Sequence, residues 1–138
     1  MNTVGCIRAR LGSTPYFIAK MTAGQLTDSV GFAMEMPEWE DMSPDEKMQR
    51  TLDVNRVVND IVPYIIDDED KFMGSLIVDI YQGFDDMTFE SVGDVFPTIP
   101  GAYKSSMKDM GFLSFPGNER LIALDGQHRL LALRIAIK

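Results

Sequence analysis

Leu121-Ile122-Ala123-Leu124-Asp125-Gly126-Gln127-His128-Arg129-Leu130-Leu131-Ala132-Leu133-Arg134-Ile135-Ala136-Ile137 decides how this chain is read. The first four residues are short and apolar enough for a buried strand, and the run from Leu130 is made of good helix formers. Between them sits a polar turn with one glycine. A strand feeding a helix through such a turn brings main-chain N–H groups and several polar side chains to one point, on the positive end of the helix dipole. That arrangement suits an anion, and phosphate is the usual biological one.

Upstream, Pro116-Gly117-Asn118-Glu119 is a turn by composition, so Gly111 to Phe115 and Arg120 to Leu124 are expected to form a hairpin. A second hairpin is expected at the start, where Gly5 to Leu11 and Tyr16 to Met21 flank Gly12-Ser13-Thr14-Pro15. Ser43-Pro44-Asp45-Glu46 is a helix start: a capping serine, a proline suited to the first helical position, and a glutamate three residues after the cap. Met48, Leu52, Val54, Val57, Val58 and Ile61 then recur at helical spacing, which predicts helix from about 44 to 62. A break is expected near Thr51 to Asp53, and Pro63 should end or kink the helix. Ser75 to Tyr81 is the best strand in the middle. Residues 83 to 110 read as a long connection with short strand around Thr88 to Val92. Strand and helix signals together give an α/β or α+β fold, a small mixed β-sheet with flanking helices. No internal repeat is visible.

The chain has 138 residues, enough for one domain with a real core, and a 45% hydrophobic, 25% charged composition. No apolar run approaches the ~20 residues of a membrane span. Met1 to Arg8 lacks a secretion signal, which reads as cytoplasmic. The apolar helical pattern still running at Lys138, without a stop signal, is expected of the N-terminal part of a longer protein. Cys6 is the sole cysteine and reads as a small buried filler. A net charge of −8 argues against coating a nucleic-acid backbone. The acids are clustered (Glu35 to Glu46, Asp67 to Asp70, Asp85-Asp86), whereas Arg120, Arg129, Arg134 and Lys138 make the end of the chain mildly basic.

Four readings of the turn compete. Gly126 and the amides after it, with His128 and Arg129, could hold a phosphate of a nucleotide or of DNA. Asp125 and His128 could be general base and acid of a nucleotide hydrolase. They could ligate a metal, though two ligands are too few and no other histidine exists. Or Asp125 caps the helix, Gly126 turns the chain, and the rest is surface. No cofactor is named by these residues; a nucleoside triphosphate with Mg2+ is the one the phosphate reading suggests. Arg50 and Arg56, six apart, do not share a helix face well. The Asp67 to Asp70 run lacks the spacing of a calcium loop and reads as a solvated turn. Trp39 reads as a core anchor, since no basic residue flanks it.

Leu124-Asp125-Gly126-Gln127-His128-Arg129-Leu130 resembles the motif of the DGQHR-domain family, of which the DndB proteins of DNA phosphorothioation (sulfur modification) are the best known. Glu46-Lys47-Met48-Gln49-Arg50, Arg56, Tyr64-Ile65 and Phe72 fall in the order DndB-like proteins show upstream of it, so the resemblance spans most of the chain as a single DGQHR domain. The family is in turn similar to the ParB and sulfiredoxin superfamily, where a strand-to-helix turn with glycine and arginine binds nucleotide phosphates. The resemblance therefore implies a ParB-like N-terminal domain. It implies Gly126, Gln127, His128 and Arg129 as phosphate contacts, and Asp125 as the residue that shapes the turn. Gln127 stands where sulfiredoxin has its reactive cysteine, so that chemistry has no nucleophile here. The resemblance further implies transcriptional control of sulfur-modification genes, with DNA, nucleotide and other sulfur-modification proteins as partners.

Overall fold

A computed structural model describes residues 3–137, the side chains of Pro37, Gln49 and Arg50 apart. In chain order the elements begin β1 (Thr3–Leu11), β2 (Thr14–Ala19), α1 (Ala23–Ser29), β3 (Val30–Gly31), α2 (Pro44–Arg50), α3 (Val54–Arg56) and α4 (Val62–Asp67). They continue as β4 (Ile77–Gln82), β5 (Thr88–Ser91), α5 (Val92–Val95), α6 (Lys104–Met107), β6 (Met110–Ser114), β7 (Arg120–Asp125) and α7 (Gln127–Ala136). The fold is mixed α+β, as the sequence predicts, but it carries two small sheets rather than one. The chain forms two compact units, Met1–Met21 with Gly83–Glu119, and Thr22–Gln82 with Arg120–Lys138.

The first unit is built on an antiparallel sheet of order β2-β1-β6-β5. The expected N-terminal hairpin is present: β1 and β2 pair from Cys6 opposite Ala19 to Leu11 opposite Thr14. Gly12, at φ +59°, makes the reversal that a side chain would resist. On one face of this sheet Val4, Cys6, Leu113 and Ser91 are buried. The ring of Phe17 lies 5.9 Å from that of Phe89 and 6.5 Å from that of Phe84. The Arg8 guanidinium covers Phe89 at 4.5 Å and pairs with Asp109 at 3.6 Å.

In the second unit β7 is the central strand of a three-stranded sheet, parallel to β3 and antiparallel to β4. Leu121, Ile122 and Ala123 are buried in succession, the pattern of a strand covered on both faces. The helix after it seats Leu130 and Ala132, both fully buried, and Ala132 clusters with Val57 and Val62.

Three expectations need correction. β6 and β7 are not a hairpin: β6 pairs with β1 and β5, β7 with β3 and β4. Leu113 completes the buried row that Val4 begins, while β7 must be central to bury three residues running. The helix of 44–62 starts as predicted, with Ser43 Oγ accepting the Glu46 N–H and Pro44 in the first turn, and it breaks at Thr51–Asp53. It does not end at Pro63. The turn widens to π type over Val57–Ile61, and α4 then carries Pro63 in its first turn through to Asp67. Proline offers no N–H and crowds the carbonyl four residues back, and the wider turn accommodates both effects. The long connection holds α5 and α6 besides the expected strand β5.

Candidate functional site

The strand-to-helix turn exists as read, with its centre one residue later than a capping aspartate would put it. Gly126, at φ +88° and ψ 21°, is the cap residue of α7, and no side chain caps this end of the helix. Asp125 is the exposed last residue of β7 and not a cap. Leu130 N–H donates to the Gly126 carbonyl at 2.9 Å, so the amides of Gln127, His128 and Arg129 form the leading edge of the helix.

The side chains of the pentapeptide separate by role. Gln127 is buried, at 8% exposure. His128 is half-buried, and its Nε2 accepts the backbone N–H of Asp53 at 2.9 Å. Asp53 in turn caps α3, its Oδ1 accepting the Arg56 N–H at 3.1 Å. Histidine thus ties the break between α2 and α3 to the head of α7, leaving Nδ1 as the nitrogen that can meet a ligand. Arg129 reaches back over the turn. Its Nη2 lies 3.9 Å from Asp125 Oδ2. A Cβ added to Gly126 would meet Nη2 at 2.9 Å and Leu76 at 3.0 Å, and one added to Gly74 would meet Nη1 at 2.8 Å. The guanidinium therefore rests against two residues that have no side chain.

The segment carrying Gly74 is held by Tyr64, whose hydroxyl accepts the Phe72 N–H at 2.7 Å and donates to the Phe72 carbonyl at 3.2 Å. The Phe72 ring itself is 83% exposed. Three segments thus meet at the turn: residues 51–56, 72–76 and 125–129.

A family match now bears on this geometry: DndB, described as DNA-sulfur modification-associated, covers residues 4–138. The chain belongs to the DndB family. Among curated proteins and solved structures nothing matches it. Membership of DndB associates the chain with a DNA sulfur-modification system. Among the described residues no helix is long and apolar enough to cross a membrane.

Within this DndB-family chain the basic end of the sequence is less available than its composition suggests. Arg134 donates to the carbonyls of Thr27 and Val30 at 3.4 and 3.2 Å and lies 4.7 Å over the Phe32 ring, which makes it a clamp on α1 and β3. Arg56 is exposed on α3, beside the Asp53 that His128 holds, whereas the Arg50 side chain lies outside the described residues. Asp67 to Asp70 are exposed at the end of α4. Among the described residues no group of three or more His, Cys, Asp or Glu is gathered to hold a metal ion. Trp39 is no core anchor: it is half-buried in the turn Pro37–Asp41, with the Lys47 ammonium 5.8 Å from its ring centre. Cys6 is buried as expected, and desolvation there pushes its thiol up, against smaller lowering effects from the Leu113 backbone and Arg8.

Sequence reasoning misses Asp53 and Gly74. Asp53 acts through its backbone N–H, which no side-chain pattern encodes, and Gly74 stands in a stretch without periodicity. Tyr64 and Phe72 did carry a signal, as part of the DndB-like order of residues. A second basic feature sits in the first unit, where Arg8, Ala9, Arg10, Pro15 and Asp109 line an open groove of about 400 Å3.

Proposed function

We propose that this chain is a cytoplasmic accessory or regulatory protein of DNA sulfur modification, and that its turn at residues 125–129 grips one phosphate group, of a nucleotide or of DNA. The observation that carries this reading is the Arg129 guanidinium, lying against Gly74 and Gly126 at the head of α7 and held, among the described residues, by one loose ion pair. A pair at that distance with an exposed carboxylate contributes about 0–1 kcal/mol. Hydrogen bonds from a guanidinium to phosphate oxygens contribute about 1.5–3 kcal/mol, so a phosphate outcompetes Asp125. The first amides of α7 and His128 Nδ1 supply further donors, and Gly126 lets the ligand approach the backbone. For a nucleotide, the exposed Phe72 ring on the neighbouring segment offers the base a stacking surface.

The hydrolase alternative, with Asp125 or His128 activating water, has less support. Asp125 faces Arg129, and His128 Nε2 is occupied by an amide, which are bonds of positioning rather than proton transfer. The charge distribution also favours a small phosphate ligand over a long nucleic-acid footprint. The second unit carries fifteen acids against eight cations, the first six against five.

Thermal denaturation with nucleoside triphosphates, with and without Mg2+, and with short duplex DNA tests the reading. Ligand at about a hundredfold excess over Kd adds about 2.7 kcal/mol of stability, a shift of several degrees. That shift should fall to about half or less in Arg129→Ala. No shift with any phosphate-bearing ligand would remove the proposal.

A further inference from the structure

One face of the four-stranded sheet is apolar and bare. Strand alternation turns Val4, Cys6, Phe17 and Leu113 to the buried side, so the opposite side gathers Ile7, Leu11, Tyr16, Ile18, Met110 and Phe112. The register makes these neighbours: Ile7 stands opposite both Ile18 and Met110, Tyr16 opposite Ala9, and Phe112 opposite Gly5. Their exposure runs from 37% at Tyr16 to 71% at Leu11. An antiparallel sheet with one face in water ordinarily alternates apolar and polar residues. Among the described residues of these strands, Glu90 is the only charge on that side; the margin is Thr3, Thr14, Thr88 and Ser114, with Thr3 Oγ1 3.2 Å from Ser114 Oγ.

We propose that this face is a two-fold interface between two copies of the chain. The occupant follows from what the face lacks. Within its strands, among the described residues, it offers no cation to a phosphodiester backbone or an anionic lipid surface, and a single acid to a basic peptide. A matching partner is apolar and nearly neutral, and a second copy of the same face is both; isologous pairing sets the same patch of both copies together, residue i against residue j and j against i. The net charge of −8 does not oppose this, because it is concentrated in the other unit and the unit bearing the sheet has a net charge of −1. The six side chains expose on the order of 600 Å2, at the top of the range for a monomer's largest apolar patch. With the hydroxyl margin added, the face approaches the ~800 Å2 per partner of a standard interface.

Sedimentation of the full chain across the micromolar range, alone and with neutral phosphatidylcholine vesicles, tests this. Ile18→Lys and Phe112→Lys serve as separate variants, both at exposed positions, with circular-dichroism melts confirming the fold. The wild type should sediment as a reversible dimer, and each variant should weaken the dimer by roughly two orders of magnitude, the effect of burying an unpaired charge. A wild-type monomer throughout overturns the proposal, whether it floats with the vesicles or stays free. So does a dimer that survives both substitutions.

Discussion

Arg129 and Asp125 make opposite predictions for the two chemistries their turn could perform. Removing the guanidinium with Arg129→Ala should weaken phosphate ligands by about tenfold or more, the worth of one charge-assisted hydrogen bond. Its effect on stability should be small, because the pair it breaks is long, at 3.9 Å, and its carboxylate is exposed. Asp125→Asn should strengthen the same ligands, since it deletes the negative charge that competes for Arg129. Were Asp125 a general base, the same change would instead abolish turnover. Titration calorimetry separates the two outcomes. Gly126 makes a different kind of contribution, through its left-handed backbone. Gly126→Ala should cost about 1–2 kcal/mol, visible as a lowered Tm, because an alanine at φ +88° is strained and its methyl group meets Leu76.

At the scale of elements, the segment between α4 and β4 is predicted to stiffen the site through Tyr64. Tyr64→Phe removes both bonds to Phe72, so it should cost about 1 kcal/mol and lower ligand affinity without touching the turn. Hydrogen exchange at residues 72–76 should rise in that variant. Cys6 on β1 gives a pH signature. Burial raises its folded-state pKa above the ordinary 9.0 of the unfolded chain, so its contribution is fully present below that value and is lost as pH rises through the folded pKa. Urea melts of the wild type should therefore lose stability above pH 9 more steeply than those of Cys6→Val.

The elements also show how far local sequence signals reach. The hairpin of β1 and β2, the Ser43-Pro44 helix start and the β7–Gly126–α7 turn are local, each fixed by residues within a few positions, and each is legible. The partners of β6 and β7 are not local: Leu113 finds Val4, and Leu121 finds Val30, across long stretches of chain. Composition suggested the nearer pairing. The π turn before Pro63 is not legible because the proline rule offers an ended or a kinked helix and leaves out a widened turn that carries the helix on to Asp67. Of the site, the pentapeptide was readable, whereas Asp53 and Gly74 enter through backbone groups and missing side chains.

At the scale of the molecule, the partition of charge limits what the turn can hold. A unit with fifteen acids and eight cations repels a polyanion approaching along its length, yet tolerates one phosphate at a local guanidinium. Binding of short duplex DNA, if it goes through the turn, should show a log K against log salt slope near −1, the value for one neutralised phosphate; a slope of several would place the DNA surface elsewhere.

The most direct measurement follows backbone amide resonances while a nucleoside triphosphate is titrated in. Saturable shifts should be largest at Gln127, His128 and Arg129, with weaker ones at Asp53 and Gly74. Shifts confined to the Arg8 and Arg10 groove, or none at the head of α7, would contradict the account.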